Sequence, residues 1–112
     1  MNSEYILRIN TVKEKYNIIN TLLSVSPTST KSYWELSLNE NSYLYNKSII
    51  YFLDLLEPNL EKLIQNGLNN ENISIWYLYE YDEQCNLEFQ PNELKRLGDA
   101  GITLCISCWK RE

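Results

Sequence analysis

Nine consecutive residues, Ile73–Tyr81 (ISIWYLYEY), alternate between two faces and are rich in β-branched and aromatic side chains. That pattern fits a pleated surface in contact with protein on both sides, and it predicts a central strand. Ile73, Ile75, Tyr77, Tyr79 and Tyr81 fall on one face, with Ser74, Trp76, Leu78 and Glu80 on the other. Asp82–Asn86 is turn-like and Leu87–Phe89 reads as a short return arm, so the stretch as a whole predicts a hairpin.

The rest of the chain can be arranged around that strand. Glu4–Asn10 alternates Tyr5, Leu7 and Ile9 against Ile6, Arg8 and Asn10, the mark of a first strand. Thr11-Val-Lys-Glu14 fits a capping box, opening a helix to about Ser24 that buries Ile18, Ile19, Leu22 and Leu23. Pro27 stops that helix. Tyr33–Leu38 is a short strand, and Ile49, Leu53, Leu56, Leu60 and Leu63 form a helical stripe interrupted by Pro58. Pro58 either kinks the helix or opens a second one, and Asn66-Gly67 is a C-cap. Pro91 starts a further helix, with Leu94 and Leu97 inward and Gly101 at its end, and Ile102–Trp109 is the last strand.

The order β-α-β-α-β-β-α-β gives an α+β fold: one mixed or antiparallel sheet of about four or five strands, with helices mainly on one face. The helix-covered face then holds Tyr5, Leu7, Ile9, Trp34, Leu36, Ile75, Tyr77, Leu104 and Ile106. The open face holds Arg8, Tyr33, Glu35, Trp76, Leu78, Glu80, Cys105, Ser107 and Trp109. Residues 1–112 are expected to form a single compact domain, because a chain of this length has no room for a second core.

Charge narrows the function. The net charge is −5, and residues 51–112 carry eleven acidic against five basic side chains. No Lys or Arg lies between Lys62 and Lys95, while Glu71, Glu80, Asp82, Glu83, Glu88 and Glu93 all do. A nucleic-acid binder needs the opposite field. An acidic flank suits a basic protein partner, or simply a solvated edge. No apolar run is long enough for a membrane span and the first residues lack a signal-peptide pattern, so a reduced, cytoplasmic setting is expected.

Catalytic chemistry has little to work with. There is no histidine, and the three glycines have no phosphate-cradling spacing. Cys105-Ile-Ser-Cys108 has CxxC spacing but lies within a strand-like run, where residues three apart point to opposite faces, roughly 10 Å apart. That geometry suits neither a disulfide nor a metal knuckle. Cys85 could pair with either, which a reducing compartment disfavours. Glu80 and Asp82 fall two apart on one strand face, about 7 Å between Cα atoms, compatible with a carboxylate pair but equally with solvated acids at a strand end. The row of Tyr77, Tyr79 and Tyr81 suits core and rim packing. No cofactor, metal site or catalytic residue is expected.

Several short stretches bear a likeness to a known family. Leu22…Val25-Ser-Pro27-Thr28 followed by Trp34-Glu-Leu-Ser37, then Phe52…Leu56, Leu60…Leu63, Ile73-Ser-Ile-Trp76, Cys85-Asn-Leu-Glu-Phe89 and Gly101-Ile-Thr-Leu-Cys-Ile-Ser107 occur in order. In this the chain resembles a bacterial family known as domain of unknown function 4279. The loop Ser29-Thr-Lys-Ser32 departs from that pattern, being shorter than in many members and without their glycine. The resemblance implies a compact α+β domain with no established reaction, and small stand-alone relatives of this type resemble immunity proteins that neutralise a toxin.

The expectation is therefore a non-catalytic protein-binding domain, monomeric or homodimeric, that holds a basic partner through acidic and aromatic surface. The contact residues expected are Glu80, Tyr81, Asp82, Glu83 and Asn86, with Trp76 and Trp109 beside them. The alternative is a small-molecule-binding or regulatory domain with a pocket between the sheet and the long helix.

Overall fold

The computed structural model describes residues 2–112. Its strands are β1 (Glu4–Ile9), β2 (Trp34–Asn39), β3 (Ile73–Tyr81) and β4 (Thr103–Lys110), and its helices are α1 (Tyr16–Leu23), α2 (Ser48–Leu56), α3 (Leu60–Gln65) and α4 (Pro91–Ala100). The strands form one mixed sheet in the order β2-β1-β3-β4. β1 is antiparallel to both β2 and β3, and β3 is parallel to β4. The architecture is α+β with one helix-covered face, as the side-chain alternation predicts.

Register places the apolar side chains on one face. Ile9 lies between Trp34 and Ile73, and Leu7 between Leu36 and Ile75. These residues meet Ile19 and Leu23 of α1, Ile49, Phe52, Leu53 and Leu56 of α2, Leu63 of α3 and Leu97 of α4 in one core. The opposite face contributes nothing to that cluster, although Ile6, between Ser37 and Trp76 in the register, is also buried.

Several local expectations need correcting. Leu87–Phe89 forms no strand: residues 82–90 are an irregular connection, and the hairpin does not exist. The eight residues of β4 take the free side of β3 instead, which a three-residue arm cannot match in hydrogen bonds. Parallel pairing demands a crossover, and α4 supplies it. The Thr11 capping box is also absent, since Lys13–Lys15 is a 3₁₀ turn with no side-chain cap. The β1 ladder continues to Asn10, whose amide donates to the Asn72 carbonyl at 2.8 Å, leaving Thr11 and Val12 to reverse the chain. α1 ends at Ser24, in the left-handed region (φ 55°), ahead of Pro27. Leu94, expected inward, is exposed.

Pro58 opens a 3₁₀ turn, Glu57–Asn59, between α2 and α3. Its missing N–H and bulky ring break the α-helical ladder there. Arg96 of α4 then ties the crossover helix to this region, donating to Asp54 at 2.8 Å and to Glu57 at 2.5 Å.

Gly101 ends α4 at φ +68°, where a side chain is disfavoured by about 1–2 kcal/mol. A Cβ there would also collide with the Asn70 amide. Gly101→Ala is expected to lower the unfolding free energy by about 2 kcal/mol or more, read as a shifted urea midpoint with an unchanged slope.

Candidate functional site

The open face of the sheet carries a stacked arrangement at its centre. Arg8 of β1 lies opposite Glu35 on one side and Ser74 on the other. Its guanidinium sits 4.5 Å from the ring centroids of both Tyr33 and Trp76, and its Nε donates to Glu35 Oε2 at 2.7 Å. The Trp76 indole N–H donates to Ser74 Oγ at 3.0 Å. One cation thus occupies faces of two aromatics and is neutralised by a half-buried carboxylate, so this stack is already satisfied within the chain.

Trp109 is a different case. It lies opposite Glu80 across β3–β4, four residues beyond the Trp76–Cys105 pair and so about 13 Å away along the strand. The expected single platform of Tyr33, Trp76 and Trp109 is therefore two separate places. Trp109 is 41% exposed, and no aromatic or cation–π partner occupies it among the described residues.

Glu80 leaves the contact set altogether. It is one of the few buried polar residues of the chain, at 9% exposure. Its Oε2 accepts the Asn2 amide at 2.9 Å, its own amide donates to Ser3 Oγ at 3.1 Å, and Arg111 stands 3.9 Å from Oε1. Alternation puts Glu80 on the open face, but the chain before β1 folds across it. Nor do Glu80 and Asp82 form a carboxylate pair on one strand, because β3 ends at Tyr81.

The remaining predicted contacts lie just past that end. Asp82, Glu83 and Asn86 are exposed, and Asn86 donates to Gln84. Among the described residues no ion pair involves Asp82, Glu83 or Glu88. Tyr81 is half-buried and stacks on Tyr79, and its carbonyl accepts the Arg111 amide at 2.7 Å. β4 lies beside this loop and has no strand on its outer side. Ile106, assigned to the helix-covered face, is on that face, opposite Tyr77, but 42% exposed on the edge strand. By contrast the other edge, β2, is closed off where Thr28 and Ser29 donate to the Glu35 carbonyl and the Ser37 amide donates to Thr28. An eight-residue edge with exposed Ile106 and Trp109 has few of the usual guards against pairing.

The tyrosines on the helix side pack on one another. Tyr5 and Tyr77 stack at 4.0 Å, and the Tyr45 and Tyr77 hydroxyls meet at 2.7 Å. Burial pushes the Tyr5 phenol up to about 12, and burial together with the Tyr45 hydroxyl raises that of Tyr77. Both stay protonated near neutral pH and make poor general bases. Among the described residues, no three acidic, cysteine or histidine side chains converge where a metal ion could sit. Cys105 faces the open side next to Trp76 and Cys108 the helix side next to Tyr79, so the CxxC spacing brings no pair together.

Between sheet and helices the space is filled by Leu7, Ile9, Trp34, Phe52, Leu53 and Leu56, none of which retains exposed surface. A cavity of about 270 Å³ lies instead on the outside of α1, lined by Asn17, Ile18, Thr21 and Leu22. No helix among the described residues is long and apolar enough to cross a membrane.

Neither family models, curated proteins nor solved structures match this chain.

Sequence reasoning picked out the acidic loop from the distribution of charge and Trp109 from the alternation of the last strand. It missed the exposure of Ile106 and the confinement of Glu80, because both depend on which strand is the edge and where residues 2–3 run.

Proposed function

We propose that the chain is a non-catalytic, cytoplasmic protein-binding domain that holds a basic partner. The docking surface is the loop Asp82–Gln90 together with the adjoining end of β4. One observation carries this reading: Asp82, Glu83 and Glu88 are exposed and make no ion pair among the described residues, one strand end away from the exposed indole of Trp109. Uncompensated charge raises the rate of encounter with an oppositely charged surface, and an accessible tryptophan gives the contact an apolar anchor. An immunity-type role, inhibiting a basic toxin, is the form of this function that the family resemblance implies. The filled space between sheet and α2 gives a small-molecule reading no comparable support.

Affinity capture on the immobilised chain, followed by titration with the purified captured protein, tests the proposal. Trp109→Ala is expected to weaken binding about thirtyfold or more. Asp82→Lys combined with Glu83→Lys is expected to slow association about tenfold at low salt, with the difference shrinking as salt rises. Unchanged affinity and salt dependence in both variants would remove this surface from consideration.

A further inference from the structure

The free hydrogen-bonding groups of the β4 edge can be identified one by one. The Arg111 amide donates to the Tyr81 carbonyl at 2.7 Å, so residue 111 turns its backbone groups towards β3. Successive residues of a strand turn theirs to alternate sides, and Thr103, Cys105, Ser107 and Trp109 therefore face β3 as well. The β3 side agrees: the Glu80 amide, one residue before Tyr81, points the other way, to Ser3 Oγ at 3.1 Å. Leu104, Ile106, Cys108 and Lys110 are left aiming their N–H and C=O groups away from the sheet, on the side where no strand lies. Among the described residues these groups have no backbone partner. The register with β3 runs without a bulge, and β4 holds no proline and one charge, Lys110, so little blunts this edge.

We propose that β4 pairs with β4 of a second copy of this chain, antiparallel about a two-fold axis normal to the sheet, joining the two four-stranded sheets into one. The free groups fix the register. With Ser107 opposite Ser107, Leu104 meets Lys110 and Ile106 meets Cys108, so every outward residue of both copies exchanges its bonds with another. Centring on Ile106 would set Lys110 against Ile102, whose amide is already given to the Leu97 carbonyl. Centring on Cys108 would set Leu104 against Glu112, past the end of the strand. Side chains and charge suit the same register. Trp109 of each copy, 41% exposed, lies across from Cys105 of the other, in the row that continues to Trp76. Lys110 of each copy comes to the Leu104 end of the other, towards the C-terminal pole of its α4, where a cation is favoured. No like charges stand opposite one another. A single strand pair is small beside the ~800 Å² per partner of a standard interface, so a reversible dimer with Kd about 10–100 µM is expected. It covers the indole of the docking surface proposed above but does not need the acidic loop.

Sedimentation equilibrium of the intact chain tests this. The mass is expected to be that of the monomer, 13.3 kDa, at about 1 µM and to approach twice that value at about 1 mM. Ile106→Pro deletes an outward donor and leaves the bonds to β3 in place, and Ile106→Lys keeps the backbone but puts a charge into the seam. Each is expected to weaken dimerisation about tenfold or more. Asp82→Lys combined with Glu83→Lys is expected to dimerise at least as well as the parent, so the dimer and the binding of a basic partner fail separately. Ser107→Cys, in a chain also carrying Cys85→Ser, Cys105→Ser and Cys108→Ser, reads the register. Facing positions that exchange no hydrogen bonds stand about 4.5 Å apart, within disulfide reach, so mild oxidation is expected to trap a symmetric dimer about tenfold faster than Ile106→Cys in the same background. A chain monomeric up to about 1 mM, its edge left to another protein's strand, overturns the proposal. So do a dimer that both Ile106 variants leave intact, and faster cross-linking through Ile106→Cys.

Discussion

Replacing Trp34 with alanine is expected to lower the unfolding free energy by about 3–5 kcal/mol, the usual cost of emptying an aromatic site in a close-packed core. Trp34 opens β2, lies opposite Ile9 and has no exposed surface. It also joins two elements with a polar contact, the indole N–H donating to Asn20 Oδ1 of α1 at 2.7 Å. Trp34→Phe separates the two contributions. It keeps most of the apolar volume but removes the indole N–H that donates to Asn20 Oδ1, and is expected to cost about 1–2 kcal/mol. Urea unfolding of both variants, followed by the fluorescence of Trp76 and Trp109, gives the measurement. If Trp34→Ala lost less than about 1 kcal/mol, α1 would not pack on β2 as described.

The fold was legible where periodicity and burial speak the same language. β3 was identifiable as central because its alternation is long and aromatic on both faces, and it does have a strand on each side. The face assignments followed from the same two-residue period and agree with the register. What could not be read was competition between segments for one edge. Leu87–Phe89 looks like a return arm until β4 is known to run parallel along the same edge of β3. Local patterns also hide tertiary pull: Thr11–Glu14 has the letters of a capping box, but the turn out of β1 leaves the helix no room to begin there. The candidate site divides along the same line. Asp82 and Glu83 are exposed because they follow the end of a strand, which sequence shows, whereas Glu80 is buried by a contact with a residue 78 positions away in the chain.

Glu80 is therefore expected to govern stability, and its acidic neighbours are not. Glu80→Ala deletes the acceptor of the Asn2 amide and leaves Arg111 without its nearby carboxylate, a loss of about 2 kcal/mol for charge-assisted contacts to a buried carboxylate. Glu80→Lys is worse, by about 3 kcal/mol or more, because a second cation beside Arg111 offers the Asn2 amide nothing to bond. Asp82→Lys and Glu83→Lys, on exposed residues that make no ion pair among the described residues, are expected to stay within about 0.5 kcal/mol of the parent. Urea titrations distinguish these outcomes, and hydrogen exchange locates them: the Asn2 and Glu80 amides should lose protection first in Glu80→Ala, while the β1–β3 ladder keeps it. Equal stability of all four variants would mean that Glu80 is a surface acid like its neighbours. The distinction also decides how binding must be tested, since a charge-reversal set that includes Glu80 would lose partner affinity through unfolding around residues 2–3, whatever the role of the loop beyond it.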